Sequence, residues 1–419
     1  MSFETISVVG LGYIGLPTAA MFASRKKKVI GVDVNQNAVD TINRGEIHIV
    51  EPDLDMIVHA AVTEGYLKAV TTPEPADAFL IAVPTPFKEC AEGEIPEPDL
   101  RFIEAASKAI APVLKKGDLV ILESTSPVGA TEQMAEWLAE ARSDLTFPQI
   151  AGESADVNVA HCPERVLPGH VVRELVENDR VIGGMSTHCS ERSVELYKTF
   201  VQGECVITNA RTAEMAKLTE NSCRDVQIAF ANELSIICDK LDINVWELIS
   251  LANRHPRIDI LQPGPGVGGH CIAVDPWFIV SKTPELAKLI KTARDVNDKK
   301  PEWVIDKVKI ALAEFLQANP TKTAQDVTIS CYGLAFKPDI DDLRESPALD
   351  ITKSIAAFHS GQVLAIEPNI DSIDFENIKL VTIDESLSET DIHVMLVDHK
   401  QFKKIKLIDS LVIDTKGIW

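Results

Sequence analysis

The stretch Thr5-Ile6-Ser7-Val8-Val9-Gly10-Leu11-Gly12-Tyr13-Ile14-Gly15 decides the fold. Its first five residues read as a short strand rich in β-branched side chains, and G-x-G-x-x-G follows without a gap. A helical pattern then runs from Ile14 through Ala23. A second apolar strand, Val29-Ile30-Gly31-Val32, ends in Asp33. This is the complete strand–loop–helix–strand–acid order of a dinucleotide-binding unit, not a bare glycine motif. Gly10 permits the tight turn, Gly12 lets a pyrophosphate approach the backbone, and Gly15 lets helix and strand pack closely. The helix N-terminus points free N–H groups at the phosphates. Asp33 can accept hydrogen bonds from ribose hydroxyls, and its charge repels a 2′-phosphate, so NAD is expected over NADP. A glycine-rich turn without a ligand is the competing reading, and the full pattern weighs against it.

Moving outward, Ala78–Val83 reads as a strand ending in Pro84-Thr85-Pro86. Leu119–Leu122 reads as another, ending in Glu123-Ser124-Thr125-Ser126-Pro127-Val128-Gly129, with a helix at 99–114 between them. Alternating strands and helices imply a parallel sheet with ligands at the strand C-termini. Thr85 and Thr125 stand at such ends, where a small hydroxyl either contacts the nicotinamide half of a cofactor or merely caps a turn. His161-Cys162-Pro163-Glu164-Arg165-Val166-Leu167-Pro168-Gly169 follows the strand 157–160, and further short strands are expected near Val181 and Val206. From Thr212 to about Asp239 the pattern is helical, longer than an ordinary globular helix. Lys217, Asn221 and Arg224 fall at i, i+4 and i+7 on one of its faces. Such a face suits a site that handles negative charge; a solvated helix face is the bland alternative. A helix at 244–252 leads to the basic run Asn253-Arg254-His255-Pro256-Arg257. A further helix from about Pro284 to Leu316 carries Arg294 and Asn297.

The second stretch that stands out is Gly264-Pro265-Gly266-Val267-Gly268-Gly269-His270-Cys271, followed by Ile272–Phe278. Four glycines and one proline before one cysteine must form a tight loop. A helix is expected to start near Val274, with Pro276 tolerated in its first turn. That places Cys271 just ahead of a helix N-terminus, where a thiol becomes more nucleophilic. An inert cysteine beside a turn is the competing reading; the glycine density favours chemistry. Asp275, four residues on, can face the neighbourhood of the thiol.

The last hundred residues repeat the opening pattern without its glycines. Asp326–Tyr332 reads as a strand ending in Gly333-Leu334-Ala335-Phe336-Lys337-Pro338, a helix follows at 347–359, and a strand Val363–Ile366 ends at Glu367. Phe336 and Lys337 stand where phosphate-loop glycines would. An aromatic ring with Lys337 and Arg344 suits a base plus phosphates. Later strands are expected at 391–397 and 411–414, with Lys416 beyond the last. The fold class is therefore α/β: two Rossmann-like parallel-sheet domains joined by a helical middle region with one long helix. The domain boundaries are placed at 1–208, 209–318 and 319–419.

The 419 residues carry a formal net charge of -22, which argues against nucleic acid or an anionic membrane surface as partner. The eight cysteines show no metal or disulfide spacing, so no metal is expected and the cell interior is the expected redox setting. No signal-peptide pattern opens the chain and no apolar run nears the roughly 20 residues of a membrane span. The expectation is a cytoplasmic protein without membrane insertion.

Seven separated motifs occur in one order: the Gly10–Gly15 loop, Pro84-Thr85-Pro86, Ser124–Gly129, Pro163-Glu164-Arg165, Lys217 with Asn221, Gly268–Cys271 with Asp275, and Gly333–Lys337. Over essentially its whole length the chain resembles the UDP-glucose/GDP-mannose dehydrogenases. That resemblance implies an NAD-dependent, four-electron oxidation of a sugar nucleotide at C6, from alcohol to acid. Within the family, Gly10–Ala20, Asn253–Arg257 and Gln262–Gly269 are most like the members that oxidise UDP-N-acetyl-D-mannosamine for the enterobacterial common antigen. UDP-N-acetylglucosamine and UDP-glucose are the alternative substrates. Arg165, where UDP-glucose enzymes usually carry Phe, weakens the last of these. The resemblance implies Cys271 as nucleophile, Lys217 and Asn221 as acid–base and oxyanion groups, Thr125 and Glu164 around the hydrolytic water, and Asp275 assisting either Lys217 or that water. It places the cofactor on Gly10, Gly12, Tyr13, Ile14, Gly15, Asp33, Thr85, Thr125, Thr131 and Lys337. The sugar nucleotide falls to Arg165, Val166, Lys217, Asn221, Arg224, His255, Arg257, Gly268, Phe336, Lys337, Arg344 and Lys416. A homodimer built on the long helix is implied, with His255 or Arg257 serving either their own or the neighbouring subunit's site. Two rival readings remain. A two-electron β-hydroxyacid dehydrogenase needs neither the cysteine loop nor a second α/β domain, and a NAD-sensing module needs no cysteine.

Overall fold

The computed structural model describes residues 3–419 except Val50, Glu92, Leu167, Pro168, His270, Ile408 and Asp409, so three residues quoted above lie outside it. The chain forms two compact units, Met1–Glu220 and Asn221–Trp419.

The first unit is built on β1 (Thr5–Val9), β2 (Lys28–Val32), β3 (Leu67–Val70), β4 (Ala78–Ile81), β5 (Leu119–Leu122), β6 (Asn158–His161), β7 (Arg180–Gly184) and β8 (Cys205–Asn209). Their order, β3-β2-β1-β4-β5-β6-β7-β8, begins with the doubly wound arrangement. Successive side chains along a strand face opposite sides of the sheet, and each side fills its own core. Ile6, Val8, Leu80 and Ile121 pack on one face with Leu16, Ala19 and Phe22 of helix α1 (Gly15–Ser24). Val9, Phe79, Ile81 and Val120 pack on the other with Met134 and Leu138 of helix α2 (Ala130–Ala141). Each of these side chains larger than alanine contributes about 1.5–3 kcal/mol relative to exposure. Because both faces are covered, the strands read as continuous apolar runs.

A wholly parallel sheet is not what forms. β6 and β7 pair antiparallel, through Ala160↔Gly184 and His161↔Gly183 only, while β7 and β8 pair parallel over five residues. The reversal marks where the six-stranded fold ends and an added strand–helix–strand unit begins. Gly183 and Gly184 sit at the junction because a Cβ there would lie 2.6 Å from the Asn209 carbonyl or 2.3 Å from Ser190 Oγ.

Helix α3 (Ala210–Lys240) runs for 31 residues. The second unit adds α4 (Val245–Ala252), α5 (Asp275–Lys282), α6 (Lys288–Ala318) and α7 (Pro347–Phe358). It also holds a parallel sheet of β9 (Ile329–Tyr332), β10 (Val363–Ile366), β11 (Ile378–Leu380), β12 (Ile392–Met395) and β13 (Leu411–Asp414), in the order β11-β10-β9-β12-β13. That order is the first five strands of the other sheet again. Val304 and Val308 of α6 and Ile351 and Ile355 of α7 pack on Ile329, Cys331 and Val394. α6 starts four residues after the expected Pro284, since Thr283–Leu286 close a turn instead. The strand expected from Asp326 starts at Ile329, after a single 3₁₀ turn at Ala324–Asp326.

Candidate active-site residues

The dinucleotide loop has the geometry its glycines require. Gly10 has φ +90°, and an added Cβ would lie 2.6 Å from the Ala82 carbonyl. A Cβ on Gly15 would fall 1.7 Å from Gly10 O, whereas a Cβ on Gly12 would meet nothing within 4 Å. The first and third glycines are thus held by the protein itself, and the second opens onto space a pyrophosphate can fill. Asp33, at the end of β2, accepts N–H bonds from Leu11 at 2.8 Å and Asn35 at 2.9 Å. Its carboxylate therefore locks the loop and keeps lone pairs for ribose hydroxyls. Tyr13 is exposed and Ile14 half-buried at the start of α1. These residues fit NAD.

Beyond β4 and β5, Thr85 Oγ1 donates to Thr125 O at 2.7 Å, and Ser124 Oγ donates to Val83 O at 2.6 Å. The two strand-end loops are so tied together, with Thr85 and Thr125 half-buried. Thr131 is different. Its side chain is fully buried, and its N–H and hydroxyl both donate to Glu214 of α3, at 2.8 and 2.6 Å.

Glu164 is buried, with one partner on each carboxylate oxygen. One oxygen takes Arg180 Nη1 at 2.6 Å, and the other takes the Arg165 N–H at 2.6 Å. Arg180 lies 5.1 Å from the centre of the Tyr197 ring, and Tyr197 donates to Glu123 at 2.6 Å. Burial pushes the Glu123 carboxyl up to about 7, partly opposed by Arg180. Burial also raises the Cys162 thiol to about 12, so the cysteine beside the Pro-Glu-Arg turn is no nucleophile. The Arg165 side chain pairs with Glu220 at 2.7 Å, and Val166 packs against the core below α1. On α3, Lys217 is half-buried and Arg224 exposed. Among the described residues Lys217 has no carboxylate within ion-pair distance.

In the second unit, Asn221 of α3 donates its side-chain N–H to Asp275 of α5 at 2.5 Å. Asp275 is buried, so two of the expected residues meet. Cys271 is exposed, one of three such cysteines with Cys90 and Cys223. It stands four residues before α5, and its carbonyl accepts the Val274 and Asp275 N–H groups. The glycine loop before it lies against the C-terminal sheet's loops. A Cβ on Gly268 would come 2.4 Å from Glu345 O and 2.9 Å from Phe336 Cβ, and Gly269 N donates to Glu345 O at 3.3 Å. Lys416 Nζ lies 3.7 Å from where a Gly264 Cβ would stand, and pairs with Asp398 at 3.3 Å. Gly268, Phe336 and Lys416 are therefore brought to one loop. Arg344 is paired to Asp342 at 2.6 Å. Lys337, His255 and Arg257 are exposed.

Sequence reading missed Glu214, Arg180 and Tyr197, which are isolated residues without a motif. It also missed Asn232, although that residue extends the Lys217–Asn221 face by three more turns. Its Oδ1 accepts the Gly264 N–H at 2.9 Å.

Comparison with known proteins matches three models of the UDP-glucose/GDP-mannose dehydrogenase family: its NAD binding domain at residues 4–201, its central domain at 211–299 and its UDP binding domain at 330–419. UDP-N-acetyl-D-mannosamine dehydrogenase of Yersinia pestis is 68% identical over 425 residues, covering 100% of both chains. NDP-N-acetyl-D-galactosaminuronic acid dehydrogenase of Ralstonia solanacearum is 62% identical, covering 100% of this chain and 97% of that one. Among solved structures, UDP-D-ManNAc dehydrogenase from Pyrococcus horikoshii superposes with a TM-score of 0.86 at 37% identity, over 99% of this chain and 96% of that one.

Proposed function

The chain belongs to the UDP-glucose/GDP-mannose dehydrogenase family, and from that premise we propose that it oxidises C6 of UDP-N-acetyl-D-mannosamine to the uronic acid through Cys271. The product is the acidic sugar of the enterobacterial common antigen. The observation that carries the reading is an exposed cysteine on a glycine loop beside a paired Asn221 and Asp275. The names of the Yersinia and Pyrococcus relatives support the substrate. Residues 1–208 hold the cofactor, 209–318 carry Lys217 and Cys271, and 319–419 hold the uridine diphosphate.

NAD, held by Gly10, Gly12, Tyr13, Ile14, Gly15 and Asp33, supplies a hydride acceptor in each of two oxidations. The chain's residues supply the rest. In the first oxidation the C6 hydroxyl proton passes to a base and an aldehyde results. The Cys271 thiolate then adds to the aldehyde carbon, giving a thiohemiacetal from which hydride can leave. Loss of that hydride yields a thioester. Water attacks it, the C–S bond breaks, and the thiolate returns as the acid is released. Lys217 exchanges protons with the oxygen at C6 and steadies its negative charge. The Asn221 amide is oriented by Asp275, which can only accept, so its second N–H donates to that oxygen. Glu164, Thr125 and Asp275 hold the attacking water; Arg165, Arg224, Phe336, Lys337, Arg344 and Lys416 bind phosphates and base.

The protein acts as a cytoplasmic homodimer in this reading. Phe230 and Ile237, at i and i+7 of α3, and Leu241 just beyond its end support it, being 53%, 44% and 62% exposed. The test of the chemistry is NADH released per mole of limiting UDP-N-acetyl-D-mannosamine. Two are expected, and Cys271→Ser should stop at the aldehyde. One NADH from the native enzyme, or full turnover by Cys271→Ala, would overturn the covalent scheme. No NADH would move the substrate to UDP-N-acetylglucosamine, UDP-glucose or an N-acetylgalactosamine nucleotide.

A further inference from the structure

Arg294 and Asn297 stand on one face of α6 and play no part in the scheme above. They head a chain of buried polar groups. Arg294 Nη1 donates to Asp225 Oδ1 at 2.7 Å, and Asn297 Nδ2 donates to the same oxygen at 2.8 Å. Asn232 Nδ2 donates to Asn297 Oδ1 at 2.9 Å, and Asn232 Oδ1 accepts the Gly264 N–H at 2.9 Å. Arg294, Asn297, Asp225 and Asn232 are all buried, none more than 1% exposed.

The direction of this chain is fixed by chemistry. A carboxylate only accepts, so Asn297 must turn its NH₂ to Asp225 and its carbonyl to Asn232. Asn232 must then turn its own NH₂ to Asn297 and its carbonyl to Gly264. Each bond polarises the next in a medium of low dielectric. The last link holds the backbone at the start of the cysteine loop. The far end of that loop is held from the same helix, by Asn221 on Asp275, whose N–H in turn binds the Cys271 carbonyl at 2.8 Å. Asn221 and Asn232 lie three turns apart on α3, roughly 16 Å along its axis. Between the two anchors the loop rests on Pro301, Glu345 and Pro347, which Cβ atoms at Gly266 or Gly268 would strike.

Resting on the reading that Cys271 is the nucleophile, we infer that Asn232 is a positioning residue: with Asn221 it makes α3 a ruler that holds both ends of the Gly264–Asp275 loop and keeps the thiol in register for the second oxidation. The first oxidation needs no thiol. Losing the Gly264 anchor therefore uncouples the two steps instead of slowing both.

The experiment compares native enzyme, Asn232→Ala and Asn232→Asp. It measures the pre-steady-state rate of the first NADH, the NADH yield per sugar with the aldehyde trapped by hydroxylamine, and Cys271 alkylation by iodoacetamide. With Asn232→Ala the first NADH should form within about threefold of the native rate, while the second falls on the order of a hundredfold, as for a reacting group misplaced by about an ångström. Trapped aldehyde should accumulate. Asn232→Asp supplies a second readout that survives poor folding of the alanine variant. As a neutral acid it still donates to Asn297 and accepts from Gly264; as a carboxylate it sets acceptor against acceptor. Its aldehyde leak, relative to native enzyme at each pH, should grow as pH rises. Equal loss of both steps, or no leak in either variant, overturns the inference. One NADH per sugar from the native enzyme overturns the underlying reading instead.

Discussion

At the scale of single residues, the three glycines of the first loop make separable demands. Gly15 is a helix position, where alanine would ordinarily gain about 1 kcal/mol. Here its Cβ would sit 1.7 Å from Gly10 O, and no flexible side chain is there to move. The clash outweighs the propensity, so Gly15→Ala should destabilise the first unit by about 3 kcal/mol or more. Gly12→Ala meets nothing within 4 Å and should leave thermal unfolding within about 0.5 kcal/mol of native. It should still weaken NAD binding at least about tenfold, because the added methyl occupies the place of the pyrophosphate. Calorimetric unfolding beside an NAD titration separates the two. An unfolding midpoint lowered equally by both substitutions would contradict the assignment. These roles were legible in sequence because glycine spacing, flanking strands and Asp33 constrain one another. Thr131 was not: nothing local announces that a carboxylate 83 positions away claims its hydroxyl.

At the scale of elements, that carboxylate does a helix's work. Glu214 of α3 accepts from Gly129 N at 2.7 Å, Thr131 N at 2.8 Å and Thr131 Oγ1 at 2.6 Å. It thus caps the N-terminus of α2, which has no side-chain cap of its own, and its charge suits the positive end of the helix dipole. Glu214→Ala would leave buried donors unpaired, at about 1–3 kcal/mol for each fully buried group. A loss of about 2–4 kcal/mol in denaturant unfolding is expected, with α2 the first helix to lose hydrogen-exchange protection. Unchanged protection there would refute the capping role. Long elements were readable: α3 and the strands of both sheets other than β3 and β11 follow from periodicity. Short or reversed ones were not. β11 is three residues, two half-buried around the exposed Lys379, without a strong pattern. The direction of β7 depends on two backbone pairs to β6 that no side chain encodes.

At the scale of the whole molecule, one construction appears twice. Gly10 N donates to Val32 O at 2.8 Å, and Gly333 N donates to Ile366 O at 2.8 Å. Leu11 N donates to Asp33 at 2.8 Å, and Leu334 N donates to Glu367 at 2.8 Å. Both glycines have φ +90°. The repeat of strand, turn and helix was visible in sequence, while the matching role of Glu367 emerges only in the fold. Each unit also buries a neutral histidine, and this sets the response of the molecule to acid. Burial lowers His161, at the end of β6, to about 3, and neither ring nitrogen has a partner among the described residues. Burial lowers His393, in β12, to about 4, but its Nδ1 bonds the Tyr332 hydroxyl at 2.8 Å. An unfolded histidine takes its proton near pH 6.5. Between that value and the folded one, the unfolded chain binds more protons, so stability rises with pH and falls on acidification. For His161 the loss reaches about 2 kcal/mol at pH 5. His161→Leu removes both this loss and two unpaired buried nitrogens. Its unfolding midpoint should exceed the native one at pH 7.5 and exceed it further at pH 5. His393→Leu gives up the Tyr332 bond and should gain less at either pH. An advantage of His161→Leu that stays constant between the two pH values would mean that His161 takes its proton in the fold as readily as in the unfolded chain.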